Sequence, residues 1–155
     1  MNRKTVVLAF LLILSIVILI QPASVSAKPT SVTFQTSAIV IEDVVSTNLG
    51  KIILVNYQYS TTSTGIFAGT CTWEGTGIVT PEKSIKDKGY FTITTSVGSI
   101  TLKTSWNAVW EDGSGYITKK ATWTIVSGTD DYAAIGGRGT FDRDLAGMLF
   151  EGVIR

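Results

Sequence analysis

The sequence predicts an all-β domain: eight antiparallel up-and-down strands closed into a barrel, preceded by an export segment. Three observations carry this. After residue 28 no stretch of helix length repeats its apolar residues every three to four positions. Thr, Val, Ile, Tyr and Trp dominate the same region, the residue types that fit a pleated, half-buried surface. Breaks containing glycine recur between the apolar runs, as a succession of hairpins requires.

Residues 1–27 read as a signal peptide. Arg3 and Lys4 make a positive start, Val6 to Ile20 is almost unbroken aliphatic, and Gln21-Pro22 ends the run. Val25-Ser26-Ala27 then supplies a cleavage site with compact residues at the −3 and −1 positions. The apolar run is shorter than the roughly 20 residues of a spanning helix. An uncleaved N-terminal anchor is the alternative. The expected location is secreted or extracytoplasmic, with no membrane association after cleavage.

The remaining chain, 28–155, is expected to be one domain with one core. Removing Arg3 and Lys4 takes Lys plus Arg from 13 to 11 against 12 Asp plus Glu. A near-neutral domain with no basic cluster is not expected to bind nucleic acid. Cys71 is the only cysteine, so no internal disulfide forms, and its place in a strand reads as a small buried hydrophobe.

The strands are predicted at Ser31–Ile41, Lys51–Ser60, Ile66–Val79, Gly89–Ser96, Ser99–Trp110, Tyr116–Ser127, Gly136–Phe141 and Gly147–Ile154. The second is apolar on both parities, so its outer face calls for a covering loop or a partner subunit. The third puts Phe67, Gly69, Cys71, Trp73, Gly75 and Gly77 on one face, glycines that let a long strand bend. Thr80 to Lys88 reads as a charged loop before the fourth. Val97-Gly98 is a tight turn into the fifth, whose Ile100, Leu102, Trp106, Ala108 and Trp110 share a face. Asp112 to Gly115 turns into the sixth, where Ile117, Lys119, Ala121, Trp123 and Ile125 align. Two short strands end the chain.

The aromatic residues Phe67, Trp73, Tyr90, Trp106, Trp110 and Trp123 are the candidates for lining the barrel, with Lys119 at its mouth as a ligand-anchoring cation. Such a set either fills a core or walls a site for a small apolar ligand. Glu74 adjoins Trp73 and so is expected to point outward. Glu151 takes a rim position by default. The absence of histidine excludes Ser-His-Asp and Cys-His catalysis and His-bearing zinc sites. Asp130, Asp131, Asp142 and Asp144 match no calcium loop, and an ion pair of one of them with Arg138 or Arg143 is expected. No cofactor or metal is implied.

The stretch Val126–Phe141, VSGTDDYAAIGGRGTF, after the Trp-bearing strand ATWTIV, resembles the tail of the allene oxide cyclase-like barrel group. That group includes allene oxide cyclases and dirigent proteins of plants, and the chain is most similar to its microbial domain family of unknown function. The resemblance covers Gly89–Arg155. Asp130 stands where the turn usually has a second glycine, a substitution an Asp tolerates. The resemblance implies an eight-stranded barrel with a hydrophobic interior and, from the plant relatives, a homo-oligomer acting on apolar or phenolic substrates. Their active-site residues cannot be placed on this chain, so that activity is not carried over. Three functions remain open: a binder of a small apolar ligand, a cyclase- or isomerase-type enzyme, and a structural protein with a filled barrel.

Overall fold

A computed structural model describes residues 28–112, 115–143 and 146–155. The export segment at 1–27 and Asp144 lie outside the described residues. Nine antiparallel strands form one sheet: β1 (Thr30–Thr36), β2 (Val40–Asn48), β3 (Ile53–Gly65), β4 (Gly69–Val79), β5 (Ser84–Thr95), β6 (Gly98–Glu111), β7 (Gly115–Gly128), β8 (Gly137–Arg143) and β9 (Met148–Ile154). One 3₁₀ turn, Asp130–Tyr132, precedes β8.

The strand order is β1-β9-β8-β7-β6-β5-β4-β3-β2, and β1 also pairs with β3. The sheet therefore closes in a ring, with β2 continuing beyond it. Both β1 and β2 use the same edge of β3. Phe34 to Thr36 pair with Ser63 to Gly65, and Val40 to Asn48 pair with Ile53 to Ser60. The predicted first strand is thus two, broken over 37–39, and the strand count is nine rather than eight. The predicted loop before the fourth strand is also corrected. β5 starts at Ser84, and Ile85, Asp87, Gly89, Phe91 and Ile93 face inward while Lys86, Lys88 and Tyr90 face out. The alternating charges of this stretch look like a loop because the inward series contains an aspartate.

The core is aromatic. Phe150 stacks on Phe34 at 4.5 Å and on Phe141 at 5.1 Å, and lies 5.3 Å from Phe91. Phe67 meets Phe34 edge-on at 5.3 Å. Trp123 closes this group, its indole N–H shared between the carbonyls of Thr140 and Glu151 at 3.0 and 3.2 Å. Cys71 is buried, as expected, and burial pushes its thiol pKa up.

Opposed glycines let the strands approach. Gly139 faces Gly152 across β8 and β9. A Cβ on Gly139 would lie 1.9 Å from the Glu151 carbonyl oxygen. The requirement at Gly139 is space, not a special backbone angle: among the described residues positive φ occurs at Gly50, Gly65, Gly98 and Gly147, at Lys83, and at Asp130 in the turn where it replaces a glycine.

Gly139→Ala forces β8 and β9 apart and is expected to destabilise the fold by about 1–3 kcal/mol. Gly136→Ala, whose Cβ would meet nothing nearer than 3.9 Å, is expected to stay within about 0.5 kcal/mol of the parent. Denaturant titration of the two variants checks this, and equal midpoints would refute it.

Candidate functional site

Five strands of the ring, β3, β4, β5, β6 and β8, converge on the one buried charge among the described residues. Asp87, on the inner face of β5, is 3% exposed. Three other side chains in the buried polar set are hydrogen-bonded to the backbone. Thr36 accepts from the Met148 N–H, Ser63 donates to the Phe67 carbonyl, and Thr104 donates to the Gly89 carbonyl. Asp87 instead accepts from another side chain, the Tyr57 hydroxyl, at 2.5 Å.

The sequence makes this contact by leaving room for it. Tyr57 is on β3 opposite Gly75 of β4, which in turn pairs with Gly89 of β5. A Cβ on Gly75 would lie 2.6 Å from the Tyr57 hydroxyl oxygen. Glycine at 75 lets the phenol cross β4 and reach a carboxylate two strands away. Tyr59, two residues along the same face, stacks on Tyr57 at 4.7 Å with the rings 11° apart.

Arg143 completes the group. It lies on the inner face of β8, two residues after Phe141, and is half-buried. Its guanidinium carbon sits 4.7 Å from the Trp106 ring centroid, 5.0 Å from Trp73 and 5.7 Å from Tyr59. Trp106 is held by an indole hydrogen bond to the Thr118 hydroxyl at 2.9 Å. Trp73 meets Tyr57 edge-on at 5.5 Å, and its own indole N–H is buried without a hydrogen-bond partner. Trp123, the equivalent ring in the core, has two acceptors.

Burial sets the electrostatics. It raises the Asp87 pKa to about 6, against the hydrogen bond from Tyr57 and the charge of Arg143, which both lower it. It also raises the Tyr57 phenol, with the Asp87 charge adding to the shift. Tyr59 is raised by burial while Arg143 opposes. For Arg143, burial lowers the pKa and Tyr59, Asp87 and Tyr57 raise it back. The result is a cation in an aromatic cage beside an acid poised near neutrality and a buried donor with nothing to bind.

Of the residues expected to line the barrel, Trp73 and Trp106 meet in this group. Phe67 and Trp123 are buried in the aromatic core. Three expectations of placement are corrected. Tyr90 is 47% exposed on the outer face, because Gly89 and Phe91 hold the inward parity. Trp110 is 41% exposed, past the last buried residue of its face, Ala108, and its indole donates to Asp112. Lys119 is the extra residue of a bulge: Asn107 pairs with Lys120 and Ala108 with Thr118. It points to solvent and pairs with Glu111 at 3.1 Å. Glu74 and Glu151 face outward. Asp142 takes the Arg143 backbone N–H at 2.9 Å, whereas the Arg143 guanidinium lies over the rings. No group of acids, cysteine or histidine capable of holding a metal ion occurs among the described residues.

Tyr57, Tyr59 and Asp87 were not singled out from the sequence, and Arg143 was read only as an ion-pair partner for a nearby acid. Extending the alternation of β5 back from Phe91, and that of β8 on from Phe141, places Asp87 and Arg143 on the inner face.

No family model and no curated protein matches this sequence. Two crystal structures share the fold. One is a protein of unknown function from the DUF3224 family of Shewanella oneidensis MR-1. It has a TM-score of 0.61 and 16% identity over 83% of this chain and 97% of its own. The other is a protein of unknown function from Clostridium acetobutylicum ATCC 824, with a TM-score of 0.55 and 11% identity over 83% and 99%. At these identities the likeness is one of fold. It agrees with the microbial, uncharacterised side of the resemblance read from the sequence.

The Asp87 shift has a sign that stability measurements check. A carboxyl whose folded pKa lies above its unfolded value of 3.8 binds its proton more tightly in the fold. Its contribution is complete below 3.8 and is lost as pH rises to about 6. The loss expected over that window is on the order of 3 kcal/mol. Asp87→Asn should flatten this segment of the pH–stability curve, and a variant that keeps the parent's slope would show that another group titrates there.

Proposed function

We propose that this domain is exported and binds a small amphipathic acid at the open end of its barrel-like sheet. The apolar part of the ligand lies along β2 and β3, and its carboxylate meets Arg143. The observation that carries this reading is the Arg143 guanidinium held among Trp106, Trp73 and Tyr59 beside uncovered aliphatic surface. Ile41 pairs with Tyr59 and Val44 with Tyr57. These two aliphatic residues therefore share the inner parity, yet are 67% and 44% exposed because β2 runs beyond the ring. Apolar surface next to a caged cation suits a ligand with an apolar body and an anionic head. The aromatic filling of the ring favours this end over the deep interior for such a ligand.

A second reading is favoured by one observation. A carboxyl with a pKa of about 6, hydrogen-bonded to a phenol, is suited to moving a proton near neutral pH. It supports an isomerase-type reaction on the same class of ligand, as the allene oxide cyclase-like resemblance suggests.

Titration calorimetry with octanoate and octanamide separates these elements. Octanoate should bind and the amide should bind at least about tenfold more weakly. Arg143→Met should remove the difference, and Arg143→Lys should keep part of it if the fold needs a cation there. Octanoate affinity should rise as pH falls from 7.5 toward 5.5, because protonating Asp87 leaves the Arg143 charge unshared. Equal affinity for acid and amide would contradict the proposal.

A further inference from the structure

The lysines of β5, β6 and β7 are scattered in the sequence but not in the fold. Register sets Tyr90 of β5 beside Lys103 of β6, Lys103 beside Thr124 of β7, and Thr124 beside Arg138 of β8. On the same outer face Lys88 pairs with Ser105, and Lys86 with Asn107, which pairs with Lys120. Lys86, Lys88, Lys103, Lys120 and Arg138 are all exposed. Neighbouring strands lie about 4.8 Å apart and residues i and i+2 about 6.7 Å apart, so these cations form one continuous surface.

The expectation of no basic cluster is therefore corrected by the sheet. Among the described residues the ion pairs are Lys83–Asp112 and Lys119–Glu111, and neither uses a cation of this face. Acids stand at its margins: Glu74 beside Tyr90, Glu151 beside Thr140 at the far side, and Asp142 two residues beyond Thr140 on the outer parity of β8. Other acids sit in turns and on β2, including Glu42, Asp43, Glu82, Asp112, Asp130 and Asp131. A domain near neutral by count is thus strongly divided in space.

We propose that the outer face of β5–β8 binds an extended acidic polysaccharide. Charge complementarity favours a polyanion, since five like charges sit together and none of them is in an ion pair among the described residues. The face is a sheet exterior with no helix or ribbon to enter a duplex groove. It offers one exposed ring, Tyr90, where single-stranded nucleic acid is held by successive stacking platforms. Between the cations lie the hydroxyls of Ser105, Thr122 and Thr124, which suit sugar hydroxyls. Tyr90, flanked by Lys103, offers an apolar face to a sugar ring.

The test uses the purified protein and fluorescein-labelled dextran sulfate, with unsulfated dextran and single-stranded DNA as comparators, followed by anisotropy at low ionic strength. Dextran sulfate should bind, dextran should not, and binding should weaken steadily with salt. Lys88→Glu/Lys103→Glu should lose at least about tenfold in affinity, as removal of direct counter-ion contacts does. Lys51→Glu/Lys83→Glu carries the same change of net charge away from this face and should stay within about twofold. All four side chains are exposed; the Lys88/Lys103 variant is expected to melt as the parent does, and the control to lose no more than its exposed Lys83–Asp112 pair contributes, about 1 kcal/mol. Equal losses in the two double variants, equal binding of neutral dextran, or no binding at low salt would overturn the proposal. Tighter binding of DNA than of dextran sulfate would also overturn it and assign the face to nucleic acid.

Discussion

Closure of the sheet is the constraint on which the rest of this structure depends. β3 is long enough to give one edge to two partners, β1 at its end and β2 along its beginning. Pairing with β1 closes the ring and leaves β2 outside it. Closure draws in the aromatic column around Phe34, Phe91, Phe141 and Phe150, and the opposed glycines at 139 and 152 allow the last two strands to come together over it. It also creates an asymmetry. One part of the interior is packed with rings, and the part next to β2 carries Tyr57, Tyr59, Asp87 and Arg143.

Burying Asp87 is unfavourable, and its neighbours offset that only in part. The Tyr57 hydroxyl donates one strong hydrogen bond, and Arg143 contributes charge without a direct salt bridge among the described contacts. Arg143 itself is stabilised by ring faces, each cation–π contact contributing on the order of 0.5–2 kcal/mol when desolvated. An arrangement optimised for stability would replace both ions with apolar side chains. A half-buried cation, a neutralisable acid and an unpartnered indole donor in one place are the observations on which the proposed binding site rests. The outer face poses a separate problem, since a ligand at the inner site does not touch the cations of β5–β8.

Much of the fold was legible in the sequence because alternation is a direct image of a pleated sheet. Trp73, Trp106 and Trp123 were placed inward by parity, and Glu74 outward. The failures share a physical origin in breaks of that period. Lys119 was assigned inward because a bulge at Asn107/Ala108 is invisible to a two-residue count. Tyr90 stood at the start of the strand predicted from Gly89, when the strand already ran from Ser84 and Gly89 and Phe91 hold the inward parity. Asp87 was passed over, and Arg143 read only as an ion-pair partner, because charged residues next to lysines or turns look solvated. Their burial depends on Tyr57 and on rings from distant strands, and those contacts exist only after closure. The basic face was hidden for a related reason: register between strands, not spacing along the chain, brings its five cations together.

The most direct test of the central claim is a two-dimensional ¹⁵N NMR spectrum of the protein during titration with octanoate, read at the indole N–H signals of its four tryptophans. Binding at the Arg143 site shifts the Trp73 and Trp106 signals together and leaves Trp123, locked between two carbonyls in the core, in place. Movement of Trp123 alone, or no movement of Trp73 and Trp106 at saturation, would contradict the account.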